Sequence, residues 1–547
     1  MKRALVTAAA LLLLLPSPAL AHKERPTESP ARPGSVPDQD RVPTQILDVC
    51  KTGECPHEHI QAAVNAASDG ALIQIWPGTY HEEPSLAMPE DLPPDNPDDS
   101  WSFEFHVANP NAQNLIAILG QKNITLRGMG AQPRDVVIDG AFEKEVVIRG
   151  DRADGLIIEN LSVWHGNDHG VYILDTDGFI IDGVHSGYST DYPFLTFAND
   201  HGLMQNCEAF GGGDGGLYPG GSAETPGRFS MEIRNCRAYH NVLGYSGTQG
   251  NHVWVHDNEF FDNAVGLVSD SETDHPNYPQ NNLVFERNKV YNNNFNPYLT
   301  TSDVEATVFA EFAFIPVGTG VFLLSGNFNT VQNNQFWNND RYGLWLGSGY
   351  GLILGPTGPE TTREPRTTPW MSSELTIAGN FFNSPEGDDP NGIDIAWDGL
   401  GTGTCFEENY RAPGVPATTD AAFLPPCMVP GINQPPPTTV SVPTASNIAA
   451  QVGLVIIAGN DSDGDGVDEP LCASYPDPCE FGPGPAPEDA RNLPEGYRPP
   501  PDPTPCGPST CGGSGDPDPE PTPTPSPTPS PTPDKPGKGP KPKKPGI

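Results

Sequence analysis

Asp168, Asp191 and Asp214 fall eight, nine and eight positions after Asn160, Asp182 and Asn206, each of which closes a short apolar alternating strand. If those strands stack, the three carboxylates share one corner. Like charges held that close either lift one of them into the acid/base range or recruit a cation. His165 and His169 flank the first aspartate and add imidazole to the group. Two chemistries follow: a Ca²⁺ bridge to a uronic acid, or a general acid/base pair for glycosidic cleavage. For any one of them a solvated turn aspartate is the plain alternative, and the co-alignment is what lifts the set above it.

A second group lies in SDSETDHPNYPQ, where Asp270, Glu272, Asp274 and His275 follow the strand Gly266–Val268. There they would overhang a groove and contact substrate, while Tyr218, Trp345 and Trp397 could stack on sugar rings. A polar loop and core aromatics are the alternatives. Removal of the proton α to a uronate needs a base, and Arg149, Arg152, Arg228, Arg237 and Arg341 stand in no motif that supplies one. A third group, Asp461, Asp463 and Asp465 before Gly466, converges carboxylates on a hard cation at a tight turn, so Ca²⁺ binding with a structural role is expected there. DSDGDGVDEPLC resembles a thrombospondin type 3 calcium repeat, since Cys472 stands where an EF-hand carries its closing Glu.

Strands must position these groups. Asn160, Asp182, Asn206, Asn235, Asn258, Asn288, Asn334 and Asn380 each follow an apolar alternating strand, at intervals of 22, 24, 29, 23, 30, 46 and 46 residues. The two long intervals read as coils with insertions at 295–317 and 351–371. An aromatic follows most anchors: Trp164, Phe210, Tyr239, Phe261, Tyr291, Trp337 and Phe382. The shorter spacing suits one three-strand turn of a solenoid, with rungs about 4.8 Å apart and Asn amides laddered along the axis. Cys207 and Cys236 each follow an anchor, so adjacent rungs would carry them within disulfide range. A reduced stacked pair is the alternative. Ahead of the repeats, EHIQAAVNAA is helical, and a strand at Ala71–Trp76 ends in Pro77-Gly78-Thr79-Tyr80.

This helix, strand and PGTY turn, the Asn ladder, and inserts such as Gly120–Gly128 resemble the right-handed parallel β-helix superfamily that includes pectate lyases, over residues 45–400. The resemblance implies an all-β solenoid with an amino-terminal capping helix. It does not imply one activity, because the fold hosts lyases, hydrolases, epimerases and non-catalytic surface proteins. Thr273-Asp274-His275-Pro276 resembles, without matching, the DPHD signature of alginate epimerases.

The expected organisation is a signal peptide over 1–21, a flexible leader over 22–43, the β-helix over 44–400, a Cys-clipped irregular region over 401–515 and a disordered Pro/Thr/Lys tail over 516–547. Ten cysteines in an exported chain pair most naturally as Cys50–Cys55, Cys405–Cys427, Cys472–Cys479 and Cys506–Cys511, besides Cys207–Cys236. With 29 basic and 70 acidic residues the net charge is −41, which argues against nucleic acid as partner. Acidic glycans would be repelled too, unless a divalent cation bridged them. No membrane span follows the leader, and a monomer is expected. The leading expectation is an extracellular or wall-associated protein that binds, and in its enzymatic form cleaves, polysaccharide or cell-wall glycan, with Ca²⁺ as cofactor. Its rivals are a non-catalytic surface or adhesion scaffold and, more remotely, a metal-handling accessory protein prompted by His165, His169, His240, His252 and His256.

Overall fold

The computed structural model describes residues 32–81, 102–271, 275–297, 302–304, 306–307, 315–347, 372–397, 399, 401–421, 423–427 and 502–511. Short strands recur on three faces, and along each face every strand pairs in parallel with its counterpart one rung away. The first face runs from Gln45–Val49 to Cys405–Glu407, and the second from Gly78–Tyr80 to Gln335–Trp337. The long strands Leu156–Trp164 and Asp177–Gly187 pass through both, which joins them into one nineteen-strand sheet. The third face is a ten-strand sheet from Asn114–Leu119 to Ile393–Trp397. This is a right-handed parallel β-helix. Its core is one column of inward aliphatic and aromatic side chains, because each strand alternates and the parallel register repeats that alternation at every level.

Two amide ladders run inside the column. Asn258, Asn288, Asn334, Asn380 and Asn409 form the first: Asn258 Nδ2 donates to Asn288 Oδ1 at 3.0 Å, and Asn288 Nδ2 donates to Val255 O at 3.0 Å and to Asn334 Oδ1 at 3.1 Å. Asn241, Asn263, Asn293, Asn339 and Asn391 form a second one in the same way. Glycines on the third face leave room for it. A Cβ on Gly266 would sit 2.5 Å from Gly320 O and 3.0 Å from Asn293 Nδ2. The anchors read from the sequence therefore divide into two roles. Asn160, Asn206 and Asn235 are left-handed turn residues, whereas Asn258 and its successors sit one position later and point inward.

That inward position is also where Cys207 and Cys236 fall. They stack on adjacent rungs as expected but are free thiols, which corrects the expected disulfide. In-register neighbours point the same way and keep the inter-strand spacing of about 4.8 Å at Cβ, longer than the roughly 3.8 Å a disulfide needs. Each Sγ instead lies against a backbone carbonyl, Cys207 on Gln205 O at 3.2 Å and Cys236 on Arg234 O at 3.3 Å. Disulfides join Cys50–Cys55, Cys405–Cys427 and Cys506–Cys511. Cys472, Cys479, the Asp461/Asp463/Asp465 loop, residues 1–21 and the tail over 516–547 lie outside the described residues.

The helix Ile60–Ala66 closes the base of the column. Gln61 on it is buried and takes the place of a missing strand: its Oε1 accepts from Ala117 N–H at 2.7 Å and its Nε2 donates to Ala117 O at 3.2 Å. The Cys506–Cys511 clip docks at the same pole, where Cys506 N–H donates to Pro77 O at 3.2 Å and Thr79 Oγ1 donates to Asp502 Oδ1 at 2.8 Å. Of the leader expected to be loose, residues 32–43 are described and lie on the outer side of the first face. Arg41 Nη1 donates to Gly155 O at 2.7 Å, and Gln39 Nε2 to Asp182 Oδ2 at 2.7 Å. Acidic side chains in the turns supply acceptors that a Pro-rich leader with Arg and Gln can meet. Among the described residues no helix is long and apolar enough to cross a membrane.

Candidate functional site

The turn from the second face to the third contains a left-handed residue on successive rungs: Phe142, His165, Tyr188 and Gly211. Three positions later stand Glu145, Asp168, Asp191 and Asp214, just ahead of the third-face strands. Their backbones are hydrogen-bonded in sequence. Asp168 N–H donates to Glu145 O at 3.0 Å, Asp191 N–H to Asp168 O at 2.9 Å, and Asp214 N–H to Asp191 O at 3.1 Å. The structure thus brings the three aspartates onto one corner and adds Glu145, which the anchor alignment missed. The signal was present, since all four acids are 23 residues apart. On the next rungs the row continues with Val242 and Ala264, so the acidic stretch ends there.

His169 opens the strand beside Asp168, with Nε2 at 3.5 Å from Asp168 Oδ2. One ligand atom each of Asp168, His169 and Asp191 lie within 4.8 Å of one another. Asp214 is engaged from the other side, where Tyr192 O–H donates to its Oδ2 at 2.6 Å. Exposure grades along the ladder: the Asp168 side chain is 26% exposed, Asp191 is 7% exposed and Asp214 is fully buried. Of the three, Asp168 is the member that solvent reaches. Burial, and then the neighbouring Asp168 carboxylate, push the Asp191 carboxyl well above the usual range. Asp214 is also pushed well up, by burial first, although the Tyr192 hydroxyl counteracts part of it. Burial lowers His169 to about 4 against the opposing pull of Asp191, and the Arg149 charge lowers it further. Near neutral pH the site therefore contains a neutral imidazole beside two carboxyls whose hold on a proton burial strengthens.

Rings form the floor beside the ladder. His169 meets Tyr192 at 5.3 Å and Tyr172 edge-on at 5.2 Å, and Tyr192 lies on Tyr218 at 4.8 Å. Arg149 sits over Tyr172 at 4.9 Å and pairs with Asp151 at 3.1 Å, both without exposure. Lys144 is buried with its ammonium on Asn111 O at 2.9 Å. A wall comes from the insertion after Tyr291: Thr307 N–H donates to Gly213 O at 2.9 Å, and Asp303 accepts from His240 Nε2 at 2.7 Å and from the Tyr188 hydroxyl.

Other expected site residues are placed elsewhere. His165 pairs with Asp139 at 2.8 Å across the turn. Asp270 accepts from Thr248 O–H at 2.7 Å, and only its charge bears on Asp214. His275 packs edge-on to Phe197 at 5.6 Å. Tyr218 is buried between Tyr192 and Phe197, so as placed it has no free ring face for a sugar. Trp345 is likewise stacked on Phe322 at 3.7 Å. The row Phe210, Tyr239, Phe261, Tyr291 and Trp337 stacks at 4.3–5.3 Å with ring planes within 15° of one another, which covers faces and leaves edges. The histidines are dispersed: His252 faces Asn282, and His256 lies between Glu232 and Asp257.

For a cation the site offers two carboxylates and an imidazole. Ca²⁺ gathers about six to eight oxygens, so backbone carbonyls and water would have to complete this set.

Residues 145–355 match the family model described as the right handed beta helix region. No curated protein matches the chain. Among solved structures, the A-module of mannuronan C-5 epimerase AlgE6 from Azotobacter vinelandii is similar at 15% identity and a TM-score of 0.39, over 69% of this chain and 95% of that one. Pectate lyase Pel9A is similar at 14% identity and a TM-score of 0.34, over 70% and 80% of the two chains.

Proposed function

On the scaffold of a right-handed parallel β-helix, we propose that the chain is an extracellular enzyme that binds polysaccharide along the third face and hydrolyses it at Asp168 and Asp191. The observation that carries the reading is the graded ladder: a nearly buried carboxyl, whose hold on its proton burial strengthens, hydrogen-bonded to a solvent-facing one. In that pair the proton that Asp191 shares with Asp168 is delivered through Asp168, the exposed member, to the leaving glycosidic oxygen, and the proton lost by the water that attacks the anomeric carbon returns to the pair. Tyr192 and Asp214 hold the ladder from behind, and neutral His169 lies beside it. Among the described residues, Arg149 and Lys144 are the basic groups beside the ladder, and their engagement favours hydrolysis over β-elimination: Arg149 sits on Asp151 inside the protein and Lys144 on backbone carbonyls. No step is routed through a cation, and the Ca²⁺ expected at Asp461, Asp463 and Asp465 would serve structure.

The covered ring faces of the second-face aromatic row support a second reading, a non-catalytic scaffold. The two separate on one experiment. The chain from residue 22 is incubated with neutral and acidic polysaccharides, with and without chelator, while new reducing ends and unsaturated-uronate absorbance are followed. Reducing ends alone, lost in Asp191→Asn, are the expected result. Absorbance would instead mean a lyase. Silence in both channels would leave the scaffold.

A further inference from the structure

The row of left-handed turn residues beside the ladder continues from Tyr188 and Gly211 to His240 and Asp262 on the next rungs. Asp303 grips two members of it. Its carboxylate accepts from His240 Nε2 at 2.7 Å and from the Tyr188 hydroxyl, and those two residues stand two rungs apart. The rung between them presents Gly211, at φ +70°, where a Cβ would sit 2.8 Å from Tyr188 Cδ1. With no side chain there, the Tyr188 ring can lean across that rung to the carboxylate. The His240 ring also packs on Phe295 at 4.4 Å, and Phe295 N–H donates to Asn263 O at 3.1 Å. Hydrogen bonds to an ionised carboxylate are roughly twice as strong as neutral ones, so this is a firm attachment.

Four residues after Asp303, Thr307 reaches the ladder. Its N–H donates to Gly213 O at 2.9 Å, and its side chain lies beside Asp191. Gly213 immediately precedes Asp214, and its own N–H donates to Thr190 O at 3.0 Å, immediately before Asp191. Val304 is buried in the apolar cluster of Val242, Leu243 and Val265, on the rungs where the acidic stretch has ended. The segment thus has an apolar foot and two polar attachments, one on the turn row and one on the ladder. Exposure follows it. Asp214, on the rung that Thr307 touches, is buried, Asp191 one rung away is nearly so, and Asp168 two rungs away is the one that solvent reaches. A regular stack repeats the same backbone neighbours at every level and does not grade exposure, whereas a cover at one end of the row does.

We propose that Asp303 is a positioning residue for the acidic ladder: by gathering His240 and Tyr188 on one carboxylate it seats Thr307 against Gly213, and this seat keeps water from Asp191. It acts through Thr307 rather than on substrate. The role deepens the hydrolase reading and rests on it only for the effect on rate, because the seating does not depend on what the ladder does.

The test follows the carbonyl stretch of the protonated Asp191 carboxyl as pH is raised, taken as the infrared difference between each protein and the same protein carrying Asp191→Asn. Asp168, His169, Tyr192 and Asp214 face Asp191, while His240 and Tyr188 face Asp303 and Asp262 lies beside His240. Substituting Asp303 leaves the first four in place. Water admitted to Asp191 favours its charged form, so in Asp303→Ala the band should disappear about one pH unit or more below the parent, towards the value of about 3.9 for an exposed aspartate. Tyr188→Phe removes one donor and keeps the ring against Trp164 and Phe210, and it should move the band the same way by less. Titrations that coincide in the parent and the variants overturn the proposal, and Tyr188→Phe decides it alone where Asp303→Ala does not fold. On a hydrolysed polysaccharide, Asp303→Ala should lower kcat about tenfold with KM within about twofold, as expected of a residue that positions a proton donor and binds no sugar. A change confined to KM overturns it as well. If the parent hydrolyses no polysaccharide, the hydrolase reading fails and the infrared titration still decides the seat.

Discussion

For Asp191 the unfolded reference is an aspartate that releases its proton at about pH 3.9. Burial and then Asp168 raise it in the folded state. The folded form therefore binds the proton more tightly, so this contribution to stability is greatest at acid pH and is lost as pH rises through the raised value. His169 acts in the opposite sense. Its folded value near 4 lies below the usual 6.5, so folding is opposed below about 4 and that opposition disappears as pH rises to 6.5. We expect Asp191→Asn to melt higher than the parent above neutral pH, with the difference shrinking towards pH 4, in thermal scans across pH. Its hydrolytic rate should fall about 10²–10⁴-fold, the usual loss of a general acid. A parallel melting curve at every pH would show that the carboxyl is not held protonated. At the thiols, alkylation in denaturant without reductant should modify Cys207 and Cys236, and peptide mapping should find neither modified in the folded protein. Both sites were legible as adjacent-rung pairs in the sequence. Whether the aspartates share a proton, and whether the sulfurs bond, depended on burial and side-chain direction, which spacing does not contain.

At the level of elements, the Asn ladders turn a run of three-residue strands into a column. Each amide both caps and is capped, so its removal leaves polar groups stranded inside. In Asn288→Ala, Val255 O and the N–H groups of Asn258 lose the partner seen here. Unsatisfied buried groups cost about 1–3 kcal/mol each, so a loss of roughly 3 kcal/mol is expected in urea titrations. A loss under about 1 kcal/mol would mean that water replaces the amide. The first ladder was readable in part, since Asn288, Asn334 and Asn380 repeat at 46 residues. Alignment on Asn alone then slipped by one position at Asn235, because Asn also suits the left-handed turn residue just before the inward site. The second ladder escaped it, although Asn241, Asn263, Asn293 and Asn339 each stand five residues after the first-ladder position.

For the whole molecule, the contacts that close the base join residues 423 and 455 apart, Thr79 to Asp502 and Glu54 to Ser509. The exposed edge of the first rung is thereby covered, as strand edges commonly are. Deleting 502–547 should speed amide exchange at Gly78–Tyr80 and around the Cys50–Cys55 clip while leaving the middle rungs protected. Uniform exchange across the chain would show that the clip adds nothing to the cap. The sequence by itself determined the repeating unit: alternating strands, left-handed turn residues and inward amides set each rung's register on its neighbour, because parallel stacking is a nearest-neighbour problem. Tertiary structure alone decided which acids lie deep enough to keep protons, which aromatics are covered, where the leader lies and that the last clip returns to the base. Those outcomes depend on what packs across a face or between distant segments, and a local period does not specify that.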